Sequence, residues 1–162
     1  MIDDCPQMKI NHAQMLDYPH IIRLLNILAK GEEMSCMLNV AQLAGALQCD
    51  NPKLEALVAK DDGQVFGCAL FYRGFDVLSA SYGTHISDII VHEDIRGQKI
   101  GRKLMQKISE YTVENGGEWL SLTVDKRNAR AKNFYLSIGA ELINVDFMAM
   151  GITNMRILME KL

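Results

Sequence analysis

Cysteine and proline are scarce in this chain of 162 residues, and each scarcity excludes something. The four cysteines (Cys5, Cys36, Cys49, Cys68) form no Cys-x-x-Cys pair and have no histidine at metal-ligand spacing, so neither a disulfide scaffold nor a metal site is expected. At this length a core can bury roughly two thirds of the unfolded surface without such staples. Cys68 lies in an apolar run with no basic neighbour and reads as a small buried hydrophobe rather than a nucleophile. Pro6, Pro19 and Pro52 all fall in the first third, and no repeat or low-complexity tract divides the remainder. One domain over residues 1–162 is therefore expected. The longest nearly uninterrupted apolar run, residues 65–71, is far shorter than the roughly 20 residues of a membrane span. Met1-Ile2-Asp3-Asp4 lacks the basic and apolar regions of an export signal, so a cytoplasmic protein with no membrane partner is expected. Excess charge is scarce as well: 17 basic against 20 acidic residues leave a net charge of −3, which offers no footprint for nucleic acid.

What is present is a regular alternation of elements. Ile21, Leu24, Leu25 and Leu28 recur at helical spacing behind Asp17 and Pro19 and before Gly31, which predicts a helix over residues 20–29. A second, weaker helix is predicted over 40–47. Residues 54–59 and 64–72 read as strands joined by Asp61-Asp62-Gly63, a turn that supplies the positive φ a hairpin needs. A strand over 84–91 leads through the loop 92–97 into a helix over 99–115, whose Ile100, Leu104, Ile108 and Tyr111 share a face. After Gly116-Gly117 come a strand over 118–124, a helix over 128–137 closed by Gly139, and two strands over 141–162 around Gly151. The fold class is α/β: a single domain with a mixed, mostly antiparallel twisted sheet, helices on both faces, and one βαβ crossover through residues 84–124.

The stretch from Ile95 to Lys103 concentrates charge of one sign where a strand passes into a helix. From Arg96 to Lys107 there are five basic residues and no acidic one. Gly97 and Gly101 let a ligand come close to the backbone, and the first-turn N–H groups add partial positive charge, so a phosphate suits the place as well as a solvated basic face does. A P-loop is excluded, because Gly97 and Gly101 enclose three residues rather than four and Leu104 follows Lys103. No Gly-x-Gly-x-x-Gly occurs anywhere, which removes a dinucleotide-binding fold.

Arg96-Gly97-Gln98-Lys99-Ile100-Gly101 resembles the Arg/Gln-x-x-Gly/Ala-x-Gly/Ala motif of the GNAT N-acyltransferases, with Lys99 standing where the family has Gly or Ala. The likeness continues in residues 128–140, where Asn128, Ala131, Tyr135 and Gly139 match the family's Asn-x-x-Ala-x-x-x-Tyr-x-x-x-Gly segment, and it covers approximately residues 54–160. The resemblance implies acetyl-CoA as cosubstrate. Arg96, Gly97, Gln98, Lys99, Ile100, Gly101 and Arg102 would wrap its pyrophosphate, and the backbone of Ile89, Ile90 and Val91, splayed from the parallel neighbour, would pair with pantetheine. Asn128 and Lys132 would also contact the coenzyme, although Asn128 is equally suited to cap its helix. An N–H near Ile90 would polarise the thioester carbonyl. Tyr135 would protonate the departing thiolate, against a packing role on the stripe it shares with Ala131, Phe134 and Ile138.

The implied reaction is direct attack of a primary amine on the thioester in a ternary complex. An alkyl ammonium must first lose its proton, and Asp88, His85, His92 and Glu93 are the candidate acceptors. Strict alternation would put His85 and Ser87 on one face and Asp88 on the other, unless a bulge changes the phase. Asp88 is preferred on the acceptor side because it interrupts an apolar strand. Residues 65–72 and 87–91 look most like the diamine and polyamine acetyltransferase branch, with Ser87 in place of the first of two adjacent acids. The acceptor would be a polyamine, an amino-acid derivative or a peptide amine, in a pocket built from the first helices and the loop 73–83. The family is often homodimeric, and the methionines at 148, 150, 155 and 159 suit either a subunit contact or a core. A module that holds acetyl-CoA without turnover is the alternative.

Overall fold

Asp62 (φ +44°) and Gly63 (φ +78°) both take the left-handed conformation, which matches the twist of a two-residue hairpin and closes β2 (Glu55–Asp61) onto β3 (Gln64–Asp76). The structure is a computed structural model that describes residues 8–160. Met1 to Asp4, Cys5 and Pro6 lie outside the described residues. The chain divides into two compact units, one ending at Thr123 and the other beginning at Val124.

In the first unit, β1 (Lys9–His12), β2, β3, β4 (Ser81–Val91) and β5 (Gly117–Leu122) form one sheet in that spatial order. All neighbours are antiparallel except β4 and β5, which are parallel and joined through α3 (Ile100–Glu114). The expected mixed sheet and its single crossover are present.

Alternation along β3 shows how the helices cover it. Cys68 and Leu70 sit in a core with Ala56 and Val58 of β2, Ile90 of β4, and Ile21, Leu24 and Leu43 from α1 (Tyr18–Gly31) and α2 (Val40–Leu47). Phe71, on the opposite face, meets the Tyr111 ring of α3 edge-on at 5.1 Å, and the hydroxyls of Thr84 and Thr112 meet at 2.7 Å. Helices therefore lie on both faces of the sheet. Lys60 of β2 reaches both carboxylate oxygens of buried Asp17 at 3.1 and 3.0 Å, pinning the turn before α1 to the sheet.

Two expectations for this unit need correction. Residues 73–83, expected as a loop, are mostly strand, with only 77–80 forming the turn. Asp76 Oδ1 accepts from the N–H groups of Leu78 and Ser79, Phe75 packs on Tyr82, and the Arg73 guanidinium lies 5.0 Å from the Tyr82 ring centre. Gly74 and Gly83 are strand positions left bare so that the Trp119 ring can lie over them. Strict alternation along β4 fails as well, because a bulge interrupts its pairing with β3 and shifts its phase.

The second unit contains α4 (Ala129–Ser137) and α5 (Ile152–Glu160). Of the two strands expected over 141–162, none is formed among the described residues: 141–150 is irregular and 152–160 is helical. Strand preference expresses packing on a half-buried pleated surface, and every residue of 141–160 is exposed, so none is available. Local propensity then decides, and the Met, Arg, Leu and Glu of 155–160 are good helix formers.

Candidate active site

The parallel pairing of β4 with β5 ends at Ile86 opposite Leu122, whereas β4 itself runs on to Val91 and stays paired with β3 to that point. Residues 87–91 thus present one backbone edge with no strand partner among the described residues. Ile89, Ile90 and Val91 lie in this stretch. The Val91 carbonyl accepts from Arg96 Nε at 3.1 Å, which ties the strand end to the loop beyond it.

That loop is shaped by backbone conformations unusual for side-chain-bearing residues. After a 3-10 turn at Glu93–Ile95, Gly97 takes φ +86° and Lys99, the residue that caps α3, takes φ +62°. Arg96, Gly97, Lys99, Arg102 and Lys103 are exposed around the start of the helix, while Ile100 is buried beneath it. Lys99 stands in the left-handed region that glycine adopts without strain, so the ammonium is kept at a cost of about 1–2 kcal/mol. First-turn N–H groups, two glycines and a row of cations make a positively charged backbone cradle, and an anion of phosphate type suits it. Lys107, two turns in, is engaged by Glu110 and belongs to the outer helix surface.

Along β4 the bulge decides which residues share a face. Leu70 opposes Asp88 and Phe71 opposes Ile86, so Ser87 is the extra residue of β4. Directly opposed residues share a face, which places Asp88 with Leu70, Ile90 with Cys68, and His85 with Tyr72. All three β4 residues therefore lie on the face that α1 and α2 partly cover, and the uninterrupted alternation that separated His85 from Asp88 is overturned. Asp88 is half-buried, and its Oδ2 accepts from the Ser87 hydroxyl at 2.9 Å. Burial, with a smaller contribution from the Asp88 charge, pushes the Cys68 thiol up to about 12, so Cys68 stays a neutral packing residue. His85 Nδ1 lies 2.9 Å from Ser121 Oγ of β5. His92 and Glu93 leave this face for the 3-10 turn, where His92 Nδ1 stands 3.3 Å from Asp94 Oδ2.

In the second unit, Asn128 caps α4 with its Oδ1, which accepts from the Ala131 N–H at 3.0 Å. Its amide NH2 is not used by that bond. Tyr135 is buried with its ring edge-on to Phe134 at 5.1 Å, and Lys132 is exposed one turn earlier. Residue-type reasoning missed the Tyr72, His85 and Ser121 row, because a bulge and a parallel register leave no periodic mark in a single strand.

Residues 22–140 match the model of the acetyltransferase (GNAT) family. A bovine protein named thialysine N-epsilon-acetyltransferase is 30% identical over 144 residues, covering 82% of this chain and 83% of that one. An aminoalkylphosphonate N-acetyltransferase of Salmonella typhimurium is 26% identical, covering 85% and 87%. Among solved structures, a Vibrio cholerae integron cassette protein superposes with a TM-score of 0.77 over 94% of this chain and 98% of that one at 22% identity. An aminoglycoside acetyltransferase from an uncultured soil metagenomic sample, in complex with trehalose, gives 0.75 over 93% and 99% at 25% identity.

Proposed function

The chain belongs to the GNAT acetyltransferase family and is an acyltransferase, and from that premise we propose that it carries the acetyl group of acetyl-CoA to a primary amine by direct attack in a ternary complex. The acceptor in this reading is a small molecule such as a polyamine or amino-acid derivative, or a peptide amine. One observation carries the reading: the basic, positive-φ cradle at the start of α3 stands next to a strand that outruns its parallel partner. The cradle suits a pyrophosphate, and the open edge of residues 87–91 suits an extended amide-bearing arm.

In this mechanism the backbone of residues 96–102 binds the coenzyme phosphates, with Arg96, Lys99 and Arg102 adding charge. Ile89 and Val91 pair with the pantetheine amides along the open edge, and the Ile89 N–H on that edge polarises the thioester carbonyl and stabilises the oxyanion. The role expected for the Ile90 N–H falls away, because it points toward β3, as does the N–H of His92, which donates to the Phe66 carbonyl. Asn128 offers its amide NH2 to the same arm while its Oδ1 caps α4, and Lys132 adds a cation on that helix. Asp88 draws the acceptor ammonium to the strand. Once the nitrogen is neutral it attacks the carbonyl carbon, the C–S bond breaks, and the Tyr135 hydroxyl gives its proton to the thiolate. We read residues 1–162 as one acetyltransferase domain, cytoplasmic, with no metal and no nucleic-acid or membrane partner. Among the described residues no helix is long and apolar enough to cross a membrane.

The test is release of CoA thiol from acetyl-CoA over diamines, spermidine, free amino acids with thialysine, a lysine peptide and an aminoglycoside. Acceptor-dependent release is expected. Silence across the panel, with acetyl-CoA binding shown by calorimetry in the same samples, would favour a coenzyme-holding module instead.

A further inference from the structure

The register of the sheet lines up three side chains from three strands: Tyr72 of β3 opposes His85 of β4, and His85 opposes Ser121 of β5. All three lie on the face that carries Asp88 and Ile90. The Tyr72 and His85 rings are tilted at 46° with centres 5.1 Å apart, and Ser121 Oγ holds His85 Nδ1 at 2.9 Å. The imidazole is thus braced on both sides. Its other nitrogen, Nε2, has no hydrogen-bond partner among the described residues.

We infer that His85 is the group that takes the proton from the acceptor ammonium, with Ser121 as the positioning residue that selects the competent ring tautomer. This rests on the amine-acetylation reading of the same site. Asp88 opposes Leu70, two residues along β3 from Tyr72, and Ile90 opposes Cys68, two further. Each such step is about 7 Å on one face of a strand. His85, Asp88 and Ile90 therefore form a line that a small amine can span, with the carboxylate at its centre and the open strand edge at its end.

Magnitudes favour imidazole over carboxylate as the base. Proton transfer from an alkyl ammonium to an ordinary carboxylate is uphill by about six pK units, and to an ordinary imidazole by about four. Asp88 then holds the cation, and His85, about 14 Å along the strand from Ile90, takes its proton through intervening water. In the working tautomer Nδ1–H donates to Ser121 Oγ and the lone pair is on Nε2. The ammonium N–H bond breaks, its electron pair remains on the nitrogen that attacks, and the proton passes to water, each water releasing one proton as it accepts another, until the last forms the new Nε2–H bond. The resulting imidazolium keeps its Nδ1–H donation to Ser121 and later returns the proton to water.

An amine that is already neutral needs no such base, and this separates proton removal from structural support. The probes are the panel alkylamine with the highest kcat/KM and the aminooxy compound that replaces its reacting methylene-ammonium by O–NH2, canaline for an ornithine-type acceptor, both assayed at pH 7.5. His85→Gln is expected to lower kcat/KM by on the order of a hundredfold for the alkylamine and by less than about threefold for the aminooxy compound. Ser121→Ala, which leaves the ring in place but frees its tautomer, is expected to show the same discrimination at about tenfold. Should His85→Gln fail to fold, Ser121→Ala carries the comparison alone. Equal losses on both probes, or no loss on the alkylamine, would overturn the role of His85 while amine acetylation stands. Wild-type silence on every amine would strike the acetylation reading instead.

Discussion

Lys99 and Tyr135 are two residues whose chemistry and local structure pull in different directions. Lys99 keeps a left-handed φ of +62° that glycine would hold freely. Replacing it by glycine removes about 1–2 kcal/mol of backbone strain and adds about 0.5–1 kcal/mol of unfolded-state entropy. Lys99→Gly is therefore expected to raise stability by about 0.5–1 kcal/mol, a Tm gain of roughly 1–4 °C by calorimetry. Acetyl-CoA affinity measured on the same variant is expected to fall about two- to threefold as one surface cation is lost. A fall in Tm would show that the lysine stem is itself structural. Tyr135 is buried on its helix, yet only its hydroxyl serves the thiolate in the proposed reaction. Tyr135→Phe keeps the ring and removes the proton donor, so kcat is expected to fall about a hundredfold with coenzyme Kd unchanged. Unaltered turnover would leave Tyr135 as packing alone.

At the scale of elements, the β3–β4 hairpin is held by what its glycines lack. A Cβ on Gly83 would stand 2.0 Å from the Trp119 ring, and one on Gly74 would stand 2.9 Å from it. Trp119 is half-buried over the two strands, and its Nε1 donates to the Ser81 carbonyl at 3.4 Å, so the ring cannot swing aside without losing that bond. Gly83→Ala is expected to destabilise by about 1–3 kcal/mol, visible as a lower urea midpoint. An unchanged midpoint would show the indole free to move. The same hairpin marks where sequence reading stopped. Helix α2, the Asp62-Gly63 turn and the crossover through α3 were legible because periodicity and turn chemistry are local signals. The cradle was legible too, since glycines and cations stand together between Arg96 and Lys103. Residues 73–83 were not legible as strand, because the tryptophan that covers Gly74 and Gly83 comes from another strand. The Ser87 bulge likewise exists only as a mismatch between two strands. The 141–150 segment carries strand-like alternation, but a strand is made by its neighbour, and in this structure none pairs with it.

For the whole molecule, the question is how a net acidic chain attracts an anionic coenzyme. With a charge of −3 the far field repels anions, so the attraction must be local to the start of α3. Glu93 and Asp94 precede the cradle, and Glu110 and Glu114 follow it along the helix, which confines the positive potential to about one Debye length at 0.15 M salt, roughly 8 Å. A compact ligand carrying several phosphate charges fits inside that region. Two or three exposed phosphate contacts at about 0.5 kcal/mol each amount to about 1 kcal/mol, or a factor of about five in affinity. Raising sodium chloride from 50 to 500 mM is therefore expected to weaken acetyl-CoA binding by on the order of fivefold, measured by calorimetry. Position should matter as much as charge, because the helix dipole acts within the first turn. Lys103→Gln should remove a measurable part of that salt dependence, while Lys107→Gln, at a residue already engaged by Glu110, should leave it unchanged. Equal effects from the two variants would mean that the coenzyme responds to net charge rather than to the shape of the cradle.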